Sequence, residues 1–458
     1  MEQRSSYLTI IQCWCVCLIL AGLLIACTPP VPVPPSPTAA ATPALMVPSP
    51  TVKPSPTVVQ IPTQSPTVAV APSPTAIPTS VPQPTATVPT PVFPVPTPDP
   101  VLMQRKPPLG TFFFYWYNCP QQECDSSQLL AVPPGWLTPL PADPDPRDGF
   151  SYSSYNYDWY ENELRTMASI GISMVFPVSW GDHPHPWFRN DRLNLLVQAN
   201  GVLEHPLTIG MFLDTTAQQG MYQEFLGNGY RFGPDAPRLP LSDPRSGYFF
   251  YNLHIRDFFT RVPREMWATI DGRPIIITYT ALCCDNLELS GTLWQAVKDA
   301  FRADFGVEPW LILEETWLNP QALAPPEGLP DSAQVADGVY RWGTALLGPH
   351  TAELRGFKVS SVGPGFDNSR IPWVREPRGQ PRDEPPGGGS PAPGAFLRAS
   401  LAAIPPDTDL VLIETWNEWP ENSAVAPAAY TDRDGRPLPP DFYLQIIRQW
   451  REQFVPQP

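Results

Sequence analysis

Short apolar runs alternate with amphipathic stretches along the C-terminal part of the chain, and this alternation limits the possible folds more than any other feature. A run that is apolar on both faces is typical of a parallel strand covered by helices. Eight such strands with helices between them predict an α/β fold, a (β/α)8 TIM barrel. The predicted strands are Gly110–Tyr117, Ser173–Trp180, Leu207–Leu213, Pro274–Thr280, Trp310–Leu313, Gly338–Trp342, Phe357–Val362 and Asp409–Thr415. The predicted helices are Tyr157–Ile170, Asn190–Ala199, Phe249–Arg261, Leu289–Phe305, Ala395–Ala403 and Phe442–Phe454.

The residues before the barrel have a different composition. Residues 1–27 contain an apolar run that ends in Leu-Ile-Ala before Cys27, which predicts a lipoprotein signal peptide with Cys27 as the acylated residue. A plain N-terminal membrane anchor is the alternative. Residues 28–108 are rich in Pro, Thr and Ser and almost uncharged, which predicts a disordered, extended spacer. We therefore expect residues 109–458 to form a barrel domain on a bacterial cell surface.

Charge and aromatic content restrict the partners. The net charge is -15, and no cluster of Lys or Arg interrupts the acidic sequence of the domain. This balance argues against binding to nucleic acid or to anionic lipid. Abundant Trp, Tyr and Phe suit neutral, ring-shaped ligands such as oligo- or polysaccharides. We expect a monomer without a cofactor, in contact with the membrane only through its lipid.

Four cysteines follow the signal peptide: Cys119, Cys124, Cys283 and Cys284. Outside the cytoplasm they predict disulfides, with three possible connectivities. A vicinal disulfide between the adjacent Cys283 and Cys284 is one of the alternatives that the sequence leaves open. A zinc site needs better ligand spacing than C-x4-C followed by an adjacent pair, so no metal is predicted.

Barrel enzymes place their functional residues on the loops that follow the strands. Polar and aromatic residues recur at nearly every predicted strand end, which packing alone does not require. The candidate substrate-binding residues at these ends are Tyr115, Tyr117, Trp180, Asp182, His183, Asp214, Glu314, Trp342 and Asp367. Two of them have other interpretations, because His183 lies in a His-Pro-His-Pro loop that could suggest a metal, and Asp214 is suited to cap a helix.

The last predicted strand runs directly into a loop rich in acids. Glu414, Glu418 and Glu421 follow the apolar run closely, and a strand that only packs has no need for such costly groups. Glycosidic bond cleavage needs one carboxyl group to protonate the leaving oxygen and another to assist on the other side, roughly 5 Å away in retaining enzymes. Glu418 and Glu421 are the predicted catalytic pair, with Glu414 as support. Pro420 disfavours a helix at Trp419, so a tight turn is expected to bring them together.

Residues 416–421 read W-N-E-W-P-E and resemble the W-N-E-W-x-E motif at the last strand of the glycoside hydrolase family 99 endo-α-mannosidases and the related WbsX-like proteins. A wider pattern is more similar still to the DUF5010 group. It comprises F-F-F-Y-W-Y at 112–117, D-W-Y-E-N-E-L at 158–164, F-L-D-T-T at 212–216, D-G-R-P at 271–274, V-G-P-G-F-D at 362–367 and I-E-T-W-N-E at 413–418.

The resemblance to family 99 implies a retaining mechanism. It implies that Glu418 deprotonates the sugar 2-hydroxyl, which attacks its own anomeric carbon, and that Glu421 is the general acid and then the base. Trp416, Asn417 and Trp419 are further candidate sugar contacts. Family 99 members continue H-E-G-T-x-I-E, whereas residues 420–426 read P-E-N-S-A-V-A, so mannose specificity does not follow. We predict a surface hydrolase of α-linked glycans, mannan-like or other; the alternatives are a non-catalytic glycan-binding barrel and a displayed scaffold.

Overall fold

The computed structural model describes residues 92–115, 117, 139, 141–142, 152, 154, 156–180, 191–216, 239–241, 245–285, 289–318, 332–371 and 374–456. Several predictions concern residues outside this part: the signal peptide with Cys27, most of the spacer, Cys119, Cys124, Asp182 and His183. Within the described ranges, no helix combines the length and the apolar character that crossing a bilayer requires.

Eight parallel strands follow one another around one sheet. They are β1 (Leu109–Phe113), β2 (Met174–Ser179), β3 (Thr208–Ile209 and Met211–Leu213), β4 (Arg273–Thr278), β5 (Trp310–Glu314), β6 (Gly338–Tyr340), β7 (Phe357–Val362) and β8 (Leu410–Ile413). The order in the sheet is β6-β5-β4-β3-β2-β1-β8-β7, so the first and last strands of the chain are neighbours. All eight predicted strands are present, and the predicted α/β TIM-barrel fold is confirmed.

The barrel is nearly closed, with its opening between β6 and β7. In place of a ladder between these two strands, the antiparallel strand His350–Leu354 pairs with β7. The two edges are nevertheless close, because a Cβ atom on Gly338 of β6 would lie 3.1 Å from the ring of Phe357 in β7.

Phe176 of β2 fills the barrel interior between two glycines. A Cβ atom on Gly110 of β1 would lie 2.6 Å from the Phe176 ring, and one on Gly210 would lie 2.3 Å from it. Both distances are shorter than side-chain packing allows, so these positions accept only glycine. Gly210 separates the two parts of β3, which keep one register against β2 on either side of it.

Helices cover the outside of the sheet. They are α1 (Pro100–Met103), α2 (Tyr157–Ser169), α3 (Asp191–Gly201), α4 (Arg245–Phe250), α5 (Arg256–Arg261), α6 (Ser290–Phe305), α7 (Ser332–Val335), α8 (Thr344–Leu347), α9 (Ala395–Ala402) and α10 (Phe442–Gln453). A π-helical turn, Tyr251–Ile255, joins α4 to α5. The six predicted helices are present, and the short helices α7 and α8 lie between β5, β6 and β7, where a regular barrel has long ones.

Shorter elements complete the described residues. The 3-10 helices are Arg264–Met266, Ala281–Cys283 and Glu315–Leu318. Three small strand pairs join Thr269–Ile270 to β4, Leu239–Pro240 to Cys284–Asp285, and Phe366–Asp367 to Gly379–Gln380.

The segment before β1 packs against the last helix, which corrects the predicted end of the spacer. Arg451 of α10 is fully buried and donates hydrogen bonds to the main-chain carbonyls of Leu102, Arg105 and Pro107. Arg105 in turn donates to the Arg451 carbonyl at 2.8 Å. Since these carbonyls satisfy a buried guanidinium, residues 102–107 belong to the folded domain. The predicted boundary at residue 108 therefore lies too far along the chain.

Candidate active site

A tight turn after β8 contains both predicted catalytic glutamates. The Ser423 N–H donates to the Glu418 carbonyl at 3.2 Å, and the Asn422 N–H donates to the Trp419 carbonyl at 3.0 Å. Asn422 has φ +49°. These two nested bonds and a left-handed residue form the paperclip arrangement that also ends many helices. Glu418 opens the turn and Glu421 lies inside it, as the predicted turn requires.

Glu418 is buried without a hydrogen-bond partner. It is 2% exposed, and no residue in the described part of the chain bonds to either of its carboxyl oxygens. Burial, and after it the charge of Glu421, raises the pKa of Glu418 well above its usual range. A buried polar group left unsatisfied costs about 1–3 kcal/mol. Glu418 is therefore the carboxyl group that would gain most from a hydrogen bond donated by a bound ligand.

Glu421 is half-buried and reaches solvent. Burial of its carboxyl group raises its pKa to about 7, and its charge contributes to the raised pKa values of Glu418 and Glu414. Its carbonyl accepts a hydrogen bond from the Asp367 N–H at 2.8 Å, which ties the turn to the loop after β7. A carboxyl group with a near-neutral pKa and access to water suits general acid and base catalysis.

The carboxyl group of Glu414 is hydrogen-bonded to the loop after β6, on the other side of β7. Its carboxyl oxygens accept hydrogen bonds from the N–H of Gly343, at 2.9 and 3.0 Å, and from the N–H of Ala345, at 3.3 Å. Burial raises the pKa of Glu414 to about 8, although the backbone N–H groups of Ala345, Gly343 and Thr344 lower it. Gly343 has φ +92°, a conformation that favours glycine. Glu414 therefore joins β8 to the loop after β6, next to the opening of the barrel.

Asn417 and Tyr117 hold the loop rather than face a substrate, which corrects their predicted role. The Asn417 Oδ1 accepts from the Phe114 N–H at 2.8 Å, and its Nδ2 donates to the Phe114 carbonyl at 2.8 Å. The side chain thus continues the pairing of β1 with β8 beyond the last residue of the strand. The Tyr117 hydroxyl donates to the Asn417 carbonyl. Both residues are buried.

The two tryptophans of the motif are also internal. Trp416 and Trp419 are fully buried. The Trp416 indole donates to Glu163 Oε2, and the Trp419 indole donates to the Tyr152 hydroxyl at 2.9 Å. Because their rings and their N–H groups are used inside the protein, the predicted sugar contacts are corrected here too.

Three predicted residues form one group after β1, β2 and β3. The Trp180 indole donates to Asp214 Oδ2 at 2.9 Å, and the Tyr115 ring meets Trp180 edge-on at 5.3 Å between centroids. Asp214 Oδ1 also accepts from the Thr216 N–H at 2.9 Å and the Thr216 hydroxyl at 2.6 Å. Asp214 thus organises its own loop, as the capping interpretation expects, and remains half-buried.

Glu314 and Trp342 occupy the mouth between β5 and β6. Glu314 Oε2 accepts from the Thr316 N–H at 2.9 Å, and burial raises the pKa of Glu314. Trp342 is half-buried and stacks on Phe212, with centroids 5.3 Å apart and rings 15° from parallel. A partly open indole held in this way suits a sugar ring.

The charged groups around Tyr340 come from the ends of several strands. Burial raises the pKa of Tyr340, and so do the charges of Glu314, Glu414 and Asp214, which follow three different strands. Asp367 follows β7, and its backbone N–H donates a hydrogen bond to the Glu421 carbonyl. The structure therefore brings Asp214, Glu314 and Glu414 close to Tyr340, and it places Asp367 beside Glu421.

Two residues that hold the candidate site are not among the residues predicted from the sequence. Arg382 donates to the Asn422 side chain at 3.1 Å and to the carbonyls of Asn422 and Ala424 at 2.7 and 2.8 Å, so it clamps the far side of the turn. It lies in a Pro- and Gly-rich loop that has no pattern to mark it. Glu163 meets Trp416 from α2 and belongs to the D-W-Y-E-N-E-L pattern, which the sequence marked only as part of the resemblance.

Cys283 and Cys284 form a disulfide with each other directly after β4. This is one of the alternatives that the sequence leaves open. Both residues are buried, and the Ala281 N–H beside them donates to the Thr316 hydroxyl at 2.9 Å. The described residues contain no group of three His, Cys, Asp or Glu side chains placed to hold a metal ion.

The fold and the site define a class: a parallel barrel with two carboxyl groups, those of Glu418 and Glu421, on one turn after its last strand. The chain matches the model of the domain of unknown function DUF5010 over residues 112–458, and it belongs to that family. The family resemblance predicted from the motifs is confirmed. A search of curated proteins finds no match.

Solved structures supply more distant similarities. The chain is similar to the GH99 endo-α-mannosidase from Bacteroides thetaiotaomicron in complex with BIS-TRIS-propane, at 17% identity and a TM-score of 0.49, over 76% of this chain and 97% of the other. Another structure of the GH99 enzyme from that organism has 14% identity and a TM-score of 0.43, with the same coverage. A glycoside hydrolase-like protein has 12% identity and a TM-score of 0.45, over 81% of this chain and 98% of the other. The barrel assignment rests on the strand order of this chain.

Proposed function

We propose that the barrel is a glycoside hydrolase that cleaves α-linked glycans with retention of configuration, using Glu418 and Glu421. One observation supports this most: two carboxyl groups whose pKa values are raised by burial lie on one turn at the barrel mouth, and Glu418 has no hydrogen-bond partner among the described residues. A structural ion pair or capping carboxylate would be satisfied by the protein itself. The motif resemblance to family 99 agrees with these positions.

The first step breaks the glycosidic bond. Glu421 donates its proton to the glycosidic oxygen as the bond from C1 to that oxygen breaks. Glu418 accepts the proton of the sugar 2-hydroxyl, and that oxygen bonds to C1, which gives a 1,2-anhydro sugar. In the second step, the Glu421 carboxylate deprotonates a water molecule that attacks C1. Glu418 returns its proton to O2 as the strained ring opens, so both groups end as they began.

Burial raises the pKa of both carboxyl groups, and the charge of Glu421 adds to the effect on Glu418. The first step of the mechanism needs Glu418 ionised. A sugar 2-hydroxyl that donates to Glu418 supplies the hydrogen bond that this carboxylate lacks, and such a bond lowers the pKa of the acceptor. Substrate binding thus favours the ionised form of Glu418.

The test is hydrolysis of bacterial, fungal and plant α-glycans by the purified protein. Glu418→Gln and Glu421→Gln are each expected to lower kcat by about 10²–10⁴-fold. Glu384→Gln, at an exposed position, is the control and should leave kcat unchanged. If an accepted substrate is cleaved equally well by either site variant, the mechanism is wrong. If glycans bind without being cleaved, the barrel is a glycan-binding module instead.

We further propose that the protein is anchored on the cell surface by a lipid on Cys27. The support is the apolar run that ends in Leu-Ile-Ala before Cys27 and the Pro-rich sequence that follows. Cys27→Ala is expected to move the protein out of the membrane fraction and to abolish labelling with a fatty-acid analogue. A variant that stays in the membrane fraction would favour a plain N-terminal anchor.

A further inference from the structure

Glu163 is a buried carboxylate outside the proposed chemistry. It lies on α2, and its two oxygens accept from two different indoles: Oε1 from Trp159 Nε1 at 3.0 Å and Oε2 from Trp416 Nε1. In the described part of the chain, no Lys, Arg or His forms an ion pair with it. A carboxylate buried without a cation is costly, so its retention calls for an explanation.

Tyr152 contacts the other residues of the W-N-E-W motif. Its hydroxyl accepts from the Trp419 indole at 2.9 Å and from Asn417 Nδ2 at 3.3 Å. Its ring meets the ring of Trp159 edge-on, with centroids 5.1 Å apart. Trp159 is one of the two indole donors to Glu163, so the residues around Glu163 pack directly against those that hold the motif.

The ionised form of Glu163 satisfies this arrangement best. Both indoles are donors, and an ionised carboxylate is the side chain that only accepts. A Gln at position 163 would turn its NH2 group toward one of these donors and leave that donor unpaired. Trp416, which Glu163 holds in this way, lies two residues before Glu418 in the sequence.

We propose that Glu163 is a positioning residue, which acts through Trp416 to hold the backbone next to Glu418 and so directs that carboxyl group at the sugar. The inference rests on the proposed hydrolase function. Glu163 does not touch the substrate, because it is buried behind residues that are themselves buried. A misplacement of 1 Å in a catalytic group costs up to about 10²-fold in rate, and this sets the expected effect.

The test is a double-mutant cycle between Glu163→Gln and Trp416→Phe, which removes the indole N–H and keeps an aromatic ring. We expect each single variant to lower kcat by about 10–100-fold, with KM changed less than about 3-fold. The double variant should be no slower than the slower single variant, because both changes break one connection. Glu161→Gln, on the same helix and paired only with Arg165, is the control and should keep full kcat.

Two results would overturn the inference: an unchanged kcat in both single variants, or losses that multiply in the double variant. If Glu163→Gln does not fold, Trp416→Phe tests the same connection, and full kcat in that variant would reject it. The side-chain carboxyl carbon-13 resonance of Glu418 provides a measurement without a substrate. Its pH titration should shift in Glu163→Gln and not in Glu161→Gln. A shift in a protein that cleaves no glycan would reject the proposed function and retain the positioning role, whereas an unchanged titration would reject the positioning role alone.

Discussion

The two ends of the barrel bury charged groups in opposite ways. At the end where the strands begin, Asp337 binds Arg273 and Lys298 at 2.8 and 2.7 Å and accepts from the Leu311 N–H at 3.0 Å. Arg451 nearby is satisfied by three main-chain carbonyls. Each charge there has partners of the opposite polarity.

At the mouth, where the strands end, acids are buried together. Glu414 receives only backbone N–H groups, Glu418 has no described partner, and Glu421 raises the pKa of both. Paired charges at one end stabilise the fold, whereas the buried acids at the other end reduce stability when they ionise, and they include the pair to which we assign the proposed hydrolysis. This division agrees with the general separation of stability and activity between the two faces of such barrels.

The largest expected effect is a loss of stability with rising pH. Burial raises the pKa of Glu163 and Glu421 to about 7 and that of Glu414 to about 8, from the ordinary value of 4.5. Between these values the folded state binds more protons than the unfolded state, so the free energy of unfolding falls as pH rises. Each group contributes up to about 1.4 kcal/mol per pH unit.

Urea unfolding at pH 5, 6, 7 and 8 measures this fall. Glu163→Gln should reduce the slope of the free energy of unfolding against pH by the contribution of one group, up to about 1.4 kcal/mol per pH unit. A free energy of unfolding that rises through this range would mean that the acids at the mouth are stabilised as anions, and the contrast between the two ends would not hold.

The second-largest expected effect is the loss of stability when a buried charge that has hydrogen-bond partners is removed at the opposite end of the barrel. Arg451→Met leaves three buried carbonyls without their donor, and we expect a loss of about 3 kcal/mol, since each unsatisfied group costs about 1 kcal/mol or more. Chemical denaturation measures the loss, and hydrogen exchange should show faster opening at residues 102–107. Arg448→Met is the matched control on the same helix, where an exposed pair with Asp99 contributes less than about 1 kcal/mol. Equal losses in the two variants would contradict the special role of Arg451.

The smallest expected effect has the opposite sign. Glu418→Met replaces an unsatisfied buried carboxyl group with an apolar side chain of similar length, and we expect a gain of about 1 kcal/mol in stability together with the loss of hydrolysis. Thermal unfolding at pH 7 measures the gain. Glu384→Met, at an exposed position, should leave the stability within about 0.5 kcal/mol. A destabilised Glu418→Met would show that Glu418 has a structural role.

Local patterns predicted much of the fold. The apolar runs predicted β2, β4 and β8 because a strand covered on both faces has a continuous apolar sequence. Pro420 indicated a turn between the two glutamates, because the residue before a proline avoids helical geometry. The two short helices between β5, β6 and β7 did not follow from any such pattern.

The direction in which aromatic side chains point was not predictable. Trp342 and Trp416 both follow barrel strands and have the same signal in the sequence. Trp342 is half-buried at the mouth, whereas Trp416 is directed toward α2 and Glu163. Which way a ring points after a strand depends on the neighbouring elements, and these come from distant parts of the chain.

The sequence by itself determined the barrel, the family and the loop that contains Glu418 and Glu421, because each depends on residues close together in the chain. Only the tertiary structure decided how that loop is held. Arg382 and Glu163 lie far from it in sequence and reach it only after the barrel has closed. Burial, which raises the pKa of both glutamates, is likewise a property of the assembled mouth and of no single segment.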